Sequence, residues 1–410
     1  MRTILHCDIN NCFASIEALY DPSLRNRPIA VCGDPTQRRG IVLAKSEEAK
    51  RCGVKTGDVL WEARQKCPDI VFIPAHYELY VQYSRAIRKY YESLTYRVEP
   101  FGIDECWLDL TGDIRRLGLS GMALGDKIRS DVLSQFHLTI SVGVSYNKIF
   151  AKLGSDYKKP NAVTVFEPSD MKTRIWPLPA SDLFGVGRAM SVKLNAIGIR
   201  TIGDIACANK AFLQARFGKI GVMLWQYANG DDTSPVCRAE EFAARKSLGH
   251  GTTLPYDMTS SETLWPVFLD LATKIAVELR REDFLTQGLC LYVRDSKMAF
   301  HQYCYRLSSP TDVAHTIASV GYMVFVQRYA WQYPVHAVGI TAQYLEPASQ
   351  PHQRELFRYD NLIRAKERMT RPVELAMSQI NASMGEDTLK RAATLHAIPE
   401  HPCGFGRPQN

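Results

Sequence analysis

The feature that most restricts the fold is a pair of adjacent acids set inside an otherwise apolar hairpin. The segment VEPFGIDECWLDLTG (98–112) reads as two short apolar strands around a turn at Gly102, with Asp104 and Glu105 opening the second strand. A third acid, Asp8, ends an alternating run over residues 3–9, just before a helix that Asn11 can cap and Pro22 stops. A carboxylate at one strand end beside an Asp-Glu pair on a neighbouring hairpin makes a hard-oxygen cluster, suited to magnesium rather than zinc. Two-metal phosphoryl transfer needs such carboxylates from separate strands, because the cations must sit roughly 3.5–4 Å apart between attacking and leaving oxygens. The plainer reading is that these acids belong to turns and face solvent.

The surrounding pattern fills in the frame. A helix over 81–94 and a buried strand in LTISVGVS (138–145) alternate with the hairpin and imply an α/β unit. Residues 22–74 are basic, built of short elements and broken by Gly33, Gly40, Gly53 and Gly57, as suits a small inserted subdomain. From about Pro177 the pattern turns helical, with two short helices joined by a Gly-Val-Gly hairpin and a further helix over 212–227, ending near Pro235. After a charged stretch over 238–246 comes a second α/β pattern of two helices (262–281 and 312–328) on a sheet whose last strand is 335–343. The polar linker EPASQPHQ, an Arg/Lys-rich helical stretch and a fraying Pro/Gly tail complete the chain. At 410 residues and 46% hydrophobic content the chain exceeds one core and needs three or four globular units.

Composition narrows the partners. No apolar run approaches the roughly 20 residues needed to span a bilayer, and the N-terminus is broken by Asp8 too soon for a signal peptide, so the expectation is a cytoplasmic protein with no membrane partner. Eleven cysteines are scattered singly with no CxxC pair and read as reduced, mostly buried thiols. A net charge of +7 and a pI near 8.8 favour a polyanionic partner without requiring one.

Four segments, HCDINNCFASIE, VEPFGIDECWLD, SVGVSYNKIFAKLGSDYKKPN and LFGVGRAMSVKL, together resemble the Y-family lesion-bypass DNA polymerases, in order over roughly residues 1–346. The resemblance implies an α+β multidomain right-hand polymerase. A ferredoxin-like palm would take 1–10 and 75–166, small fingers 11–74, and a helical thumb with a helix-hairpin-helix 167–236. A linker over 237–245 would lead to an α/β little finger at 246–345 and a tail at 346–410. It implies Asp8, Asp104 and Glu105 as catalytic carboxylates holding two Mg²⁺ ions with the Ile9 carbonyl, and Phe13 as a steric gate that rejects the ribose 2′-hydroxyl. Lys159, before Pro160 and Asn161, matches the lysine that reaches nucleotide phosphates; Lys148 and Lys152, four apart on one helical face, match positions lining the palm near DNA.

The chain also departs from the family. The usual fingers Tyr and Arg are here Glu47 and Lys50, so Lys50, with Lys45 nearby, becomes the candidate phosphate contact, and the family's second Asp after Asp8 is Asn10. Gly185 and Gly187 resemble the hairpin glycines whose backbone N–H groups approach DNA phosphates. Gln353, Leu356 and Phe357, in QRELF, resemble the peptide that plugs a groove on the bacterial sliding clamp. Small fingers residues Gly40, Val42 and Ala44 would enclose the nascent pair loosely. The implied activity is low-fidelity translesion synthesis by a monomer, acting on primer–template DNA and dNTP, transferring dNMP to a primer 3′-hydroxyl with pyrophosphate release. Two rivals stay open: a nucleotidyl cyclase, which also places paired acids on a palm-like sheet, and a DNA-binding protein whose acids are structural.

Overall fold

A computed structural model describes residues 1–33, 40–114, 118–241, 245–350, 358–385 and 388–395, which divide into two compact units meeting in sequence near residue 242. No helix among the described residues is long and apolar enough to cross a membrane.

In the first unit, β1 (Ile4–Ile9) leads into α1 (Cys12–Tyr20). A small sheet follows, made of β2 (Ile29–Cys32), β3 (Val42–Lys45) and β4 (Val71–Pro74) in the order β3-β2-β4, with α2 (Glu47–Arg51) and α3 (Leu60–Lys66) around a core of Ala30, Val42, Ala49, Val54, Ala63 and Ile70. The chain returns through α4 (Tyr77–Leu94), β5 (Val98–Phe101), β6 (Glu105–Asp109), α5 (Gly121–Phe136), β7 (Ile140–Ser145), α6 (Lys148–Tyr157) and β8 (Val163–Phe166). The larger sheet has the order β5-β6-β1-β7-β8.

Strand β1 is buried along its whole length because it is covered on both faces. Period-2 alternation sends Leu5, Cys7 and Ile9 into the core shared with Tyr80 and Ile87 of α4 and Leu124, Ile128 and Val132 of α5. It sends Ile4, His6 and Asp8 to the other face. There Ile4 packs with Trp107 of β6 and Ala151 of α6. The β1–β6 ladder pairs His6 with Trp107 and Asp8 with Glu105, while β1–β7 pairs His6 with Gly143 and Asp8 with Ser141. Gly143 is decisive here, since a Cβ at this position would lie 1.8 Å from the Ala151 carbonyl oxygen. Only glycine lets α6 settle directly on the sheet. Asn147 starts that helix by accepting the Phe150 N–H at 2.7 Å, and its amide donates to the Gly230 carbonyl at 3.0 Å, tying the helix start to a chain segment eighty-three residues on.

The remaining helices of this unit are α7 (Arg188–Asn195), α8 (Ile202–Cys207), α9 (Lys210–Phe217) and α10 (Lys219–Ala228), around Leu183, Val186, Leu194, Ile202, Ile205, Leu213 and Leu224. Three sequence expectations change. The single helix over 212–227 is two helices, broken at Gly218, whose φ of 63° lies outside the helical region. The Gly-Val-Gly turn does not join two α-helices: it follows the 3₁₀ turn Ala180–Asp182 and opens α7, and the α7–α8 link instead turns at Gly198. Val42 is fully buried in the small sheet's own core and Gly40 is buried, so these two do not form an open wall for a base pair.

The second unit is an antiparallel sheet of β9 (Ser247–Met258), β10 (Phe284–Asp295), β11 (Phe300–Thr311) and β12 (Val335–Pro347) in the order β11-β10-β12-β9. Helices α11 (Trp265–Arg281) and α12 (Ala314–Arg328) cover one face through Phe268, Leu271, Ile275, Ile317 and Phe325. Cys290 and Cys304 stand opposite each other on β10 and β11 and are disulfide-bonded, correcting the reading of all cysteines as free thiols; register, not spacing in the chain, brings them together. The last long helix, α13 (Arg358–Met384), is not a detached tail element. Its Glu374, 3% exposed, accepts from Arg391 (2.7 Å), Arg280 (3.3 Å) and the Ala314 and His315 N–H groups at the start of α12 (2.9 and 3.2 Å). Arg371 grips Asp312 with two bonds of 2.6 and 2.8 Å. A buried carboxylate here satisfies orphan helix N–H groups and neutralises the part-buried Arg280. Glu374→Ala is expected to destabilise the second unit by about 3–5 kcal/mol, since it takes the shared carboxylate from Arg280, Arg391 and two helix N–H groups. Chemical denaturation checks this, and an unchanged midpoint would refute it.

Candidate active site

Asp8, Asp104 and Glu105 come together by register. Asp8 and Glu105 occupy one rung of the β1–β6 ladder, and the Ile9 N–H donates to the Asp104 carbonyl at 3.0 Å, pinning the Gly102 turn beside the end of β1. Gly102 has φ +82°, which a turn this tight requires.

Helix α6 supplies the counter-charges. Lys152 is ion-paired with Glu105, and Lys159, just past the helix, places Nζ 2.6 Å from Asp8 Oδ2 and 2.7 Å from Asp156 Oδ1. Burial raises Asp8 to about 7 against the pull of Lys159, with the charge of Glu105 adding to the rise; burial and Glu105 raise Asp104 to about 6. Burial would lift Glu105 as well, but the His6 ring and Lys152 hold it down at about 2. Four carboxylates (Asp8, Asp104, Glu105 and Asp156) face two ammonium groups, so the pocket is short of positive charge.

That deficit, with an all-oxygen donor set, fits a divalent cation. The side chains are not already a closed cage: among the described residues no three acidic, imidazole or thiol groups stand gathered for a metal ion, and lysines engage Asp8 and Glu105. Asn10, where the family carries an acid, is turned inward. Its Nδ2 donates to Thr139 Oγ1 at 3.1 Å and its Oδ1 accepts from Ser141 at 2.8 Å, so a neutral amide satisfies this spot.

The other sequence candidates are placed as follows. The half-buried Phe13 ring stacks on Tyr80 (4.2 Å between centroids, 11° apart), and the Tyr80 hydroxyl donates to the buried Glu17. Lys148 is not free toward solvent: Nζ is 2.6 Å from Glu99 Oε1 and lies 4.5 Å above the Trp107 ring, so it ties α6 to β5 and β6. Asn11 stands at the N-cap of α1 in a left-handed conformation, but its side chain makes no cap bond and instead donates to Glu47 Oε1 at 3.2 Å. Glu47 also takes Lys50 at 3.3 Å, so its charge is answered locally. Lys45 donates to Thr56 at 3.2 Å, and burial together with nearby Lys50 lowers its pKa. Gly185 has φ +92°, whereas Gly187 is an extended N-cap residue of α7. Gln353, Leu356 and Phe357 lie outside the described residues. Sequence reading passed over His6, Ser155 and Asp156. Strand alternation from Asp8 and helical spacing from Lys152 and Lys159 were the signals that could have found them.

The fold and this site define a class, the right-hand polymerases, with a ferredoxin-like palm, small fingers, a helical thumb and an α/β little finger. The comparisons agree. A model described as "impB/mucB/samB family" matches residues 7–156, and its C-terminal domain matches 245–356. "DNA polymerase-iota, thumb domain" matches 181–232. DNA polymerase IV of Acetivibrio thermocellus is 41% identical over 88% of this chain and 90% of that protein. DNA polymerase IV 1 of Bacillus subtilis is 32% identical over 96% and 93%. The solved structure of a Y-family DNA polymerase chimera of Dbh and Dpo4 superposes with a TM-score of 0.74 at 23% identity, covering 84% of this chain and 99% of that one. The chain belongs to the Y family of DNA polymerases, alongside the DNA polymerase IV proteins, and is a DNA-directed DNA polymerase.

The raised acids give a test. A carboxyl whose folded pKa exceeds its ordinary value binds protons in the native state that the unfolded chain does not, so stability is full below about pH 4 and is lost as pH climbs toward 7 for Asp8 and 6 for Asp104. In chelator, Asp8→Asn is therefore expected to raise the melting temperature at pH 7.5 by a few degrees relative to the native chain, with little gain at pH 4. A variant that melts lower at pH 7.5 would contradict this assignment.

Proposed function

We propose that the chain carries out low-fidelity translesion DNA synthesis, transferring dNMP from dNTP to a primer 3′-hydroxyl on primer–template DNA with release of pyrophosphate. The observation that carries this reading is the Asp8–Glu105 rung under α6, with Asp104 beside it and too few lysines to neutralise the group. Asp8, Asp104, Glu105 and the Ile9 carbonyl would hold two Mg²⁺ ions, which when bound supply charge neutralisation for the nucleophile and the triphosphate. The protein's own part is positional. The strands fix the carboxylates, Glu105 sets the site nearest the primer end, and Lys159 exchanges its carboxylate partners for phosphate as nucleotide enters.

The domain reading follows the sequence boundaries: palm 1–10 and 75–166, fingers 11–74, thumb 167–236, linker 237–245, little finger 246–345 and tail 346–410. Two features modify it. β12 runs to Pro347, and α13 docks on the second unit, so part of the tail belongs structurally with the little finger. Phe13, backed by Tyr80, is the candidate steric gate. Lys45 and Lys50 remain fingers candidates for the triphosphate, Lys148, Lys152 and the Gly185–Gly187 turn for nucleic acid, and Gln353, Leu356 and Phe357 for a sliding clamp.

Primer extension with Mg²⁺ tests the whole. Asp104→Ala is expected to lose activity by roughly two to three orders of magnitude while still binding DNA. Cyclic nucleotide formed from a nucleoside triphosphate would support the cyclase rival, and DNA binding without extension by the native chain would support the non-catalytic one. Phe13→Val is expected to raise ribonucleotide incorporation relative to deoxyribonucleotide by roughly tenfold or more; an unchanged ratio removes Phe13 from the gate.

A further inference from the structure

Behind Glu105 lies a buried histidine that the mechanism above does not use. His6 is fully buried on the central strand, on the same face as Asp8 and two rungs from the Asp8–Glu105 pair. Its Nδ1 is 2.8 Å from Ser155 Oγ, and its Nε2 is 3.1 Å from Glu105 Oε2. The ring is wedged edge-on against Trp107, with centroids 5.0 Å apart, and the glycine opposite it on β7 is what admits α6 and therefore Ser155. Nε2 has no hydrogen bond of full geometry among the described residues, and a buried polar atom left in that state calls for an explanation.

We infer that His6, oriented by Ser155, is a positioning residue that fixes the rotamer of Glu105 so that one carboxylate oxygen is held and the other is presented to a divalent cation. The inference rests on the proposal that Glu105 helps to hold such a cation. A carboxylate only accepts, so Nε2 must carry the proton. In the neutral ring Nδ1 then accepts from the Ser155 hydroxyl, whose single proton also has the Lys152 carbonyl at 2.7 Å as an acceptor, so His6 and the helix backbone compete for it. Glu105 Oε2 is also the oxygen paired with Lys152, so both protein partners converge on one oxygen and leave Oε1 for a ligand. Outer partners of this kind typically change metal affinity by roughly 10–100-fold when removed.

The test is Mn²⁺ binding by the full chain with dideoxy-terminated primer–template and dNTP, read by electron paramagnetic resonance, alongside thermal melting and steady-state kinetics. His6→Phe keeps the ring volume against Trp107 and is expected to weaken Mn²⁺ binding about tenfold, with lower kcat and an unchanged KM for dNTP. His6→Gln, which can still donate to Glu105, is expected to recover most of the affinity, and Ser155→Ala to weaken it a few-fold. Native Mn²⁺ affinity in a folded His6→Phe, while Glu105→Ala binds weakly, overturns the positioning role alone. Native affinity in Glu105→Ala overturns the cation-site proposal beneath it. Should His6→Phe not fold, Ser155→Ala decides: full affinity there is equally fatal to the inference.

Discussion

The seating of α6 on the central sheet is the contact on which the site depends. Gly143 leaves no room for a side chain between β7 and the Ala151 carbonyl, and Gly154 faces it from the helix, where an added Cβ would come within 3.0 Å of the Gly143 Cα. Backbone meets backbone there, so the helix is held at one height and rotation. Lys152, Ser155 and, just past the helix end, Lys159 inherit positions over the carboxylates from that contact, and Asn147 holds the start of the same helix. A larger residue at 143 would lift the whole set of counter-charges away from the acids.

Electrostatics then gives the seated helix its purpose. Three acids on adjoining strands would repel one another if left alone in a partly buried pocket. The lysines relieve this without ending it, which is why Asp8 and Asp104 remain raised while Glu105, gripped by His6 and Lys152, is lowered. The asymmetry distinguishes the three carboxylates by role: Glu105 is fixed by protein partners, and Asp8 and Asp104 retain unmet demand for positive charge. A similar use of buried charge appears in the second unit for a purely structural end, where Glu374 draws α13, the start of α12, Arg280 and Arg391 into one cluster.

Legibility from sequence followed the range of the interactions. Strand alternation around Asp8 and the hairpin around Asp104–Glu105 are local, and so were the helix–sheet alternation of both units and the family resemblance built on them. Elements decided by contacts distant in sequence were misread or missed. Asn11 was taken for a helix cap, but Glu47, thirty-six residues on, claims its side chain. The partners of Lys148, Glu99 and the Trp107 ring, lie forty-nine and forty-one residues away and cannot be read from its own helix. The break at Gly218 was overlooked because the flanking apolar spacing continues across it, and the Cys290–Cys304 bond is invisible without the β10–β11 register.

The amino-acid order by itself determined which residues could bear the chemistry, because a strand's period of two assigns faces and a carboxylate's identity sets the ions it prefers. It also determined the class of fold, through the spacing of apolar runs and turns. Only the tertiary structure decided which acid meets which base, that His6 stands behind Glu105 and that α13 belongs to the second unit. Those pairings come from register and from the height at which a helix lands on a sheet, and both are set by packing among residues far apart in the chain.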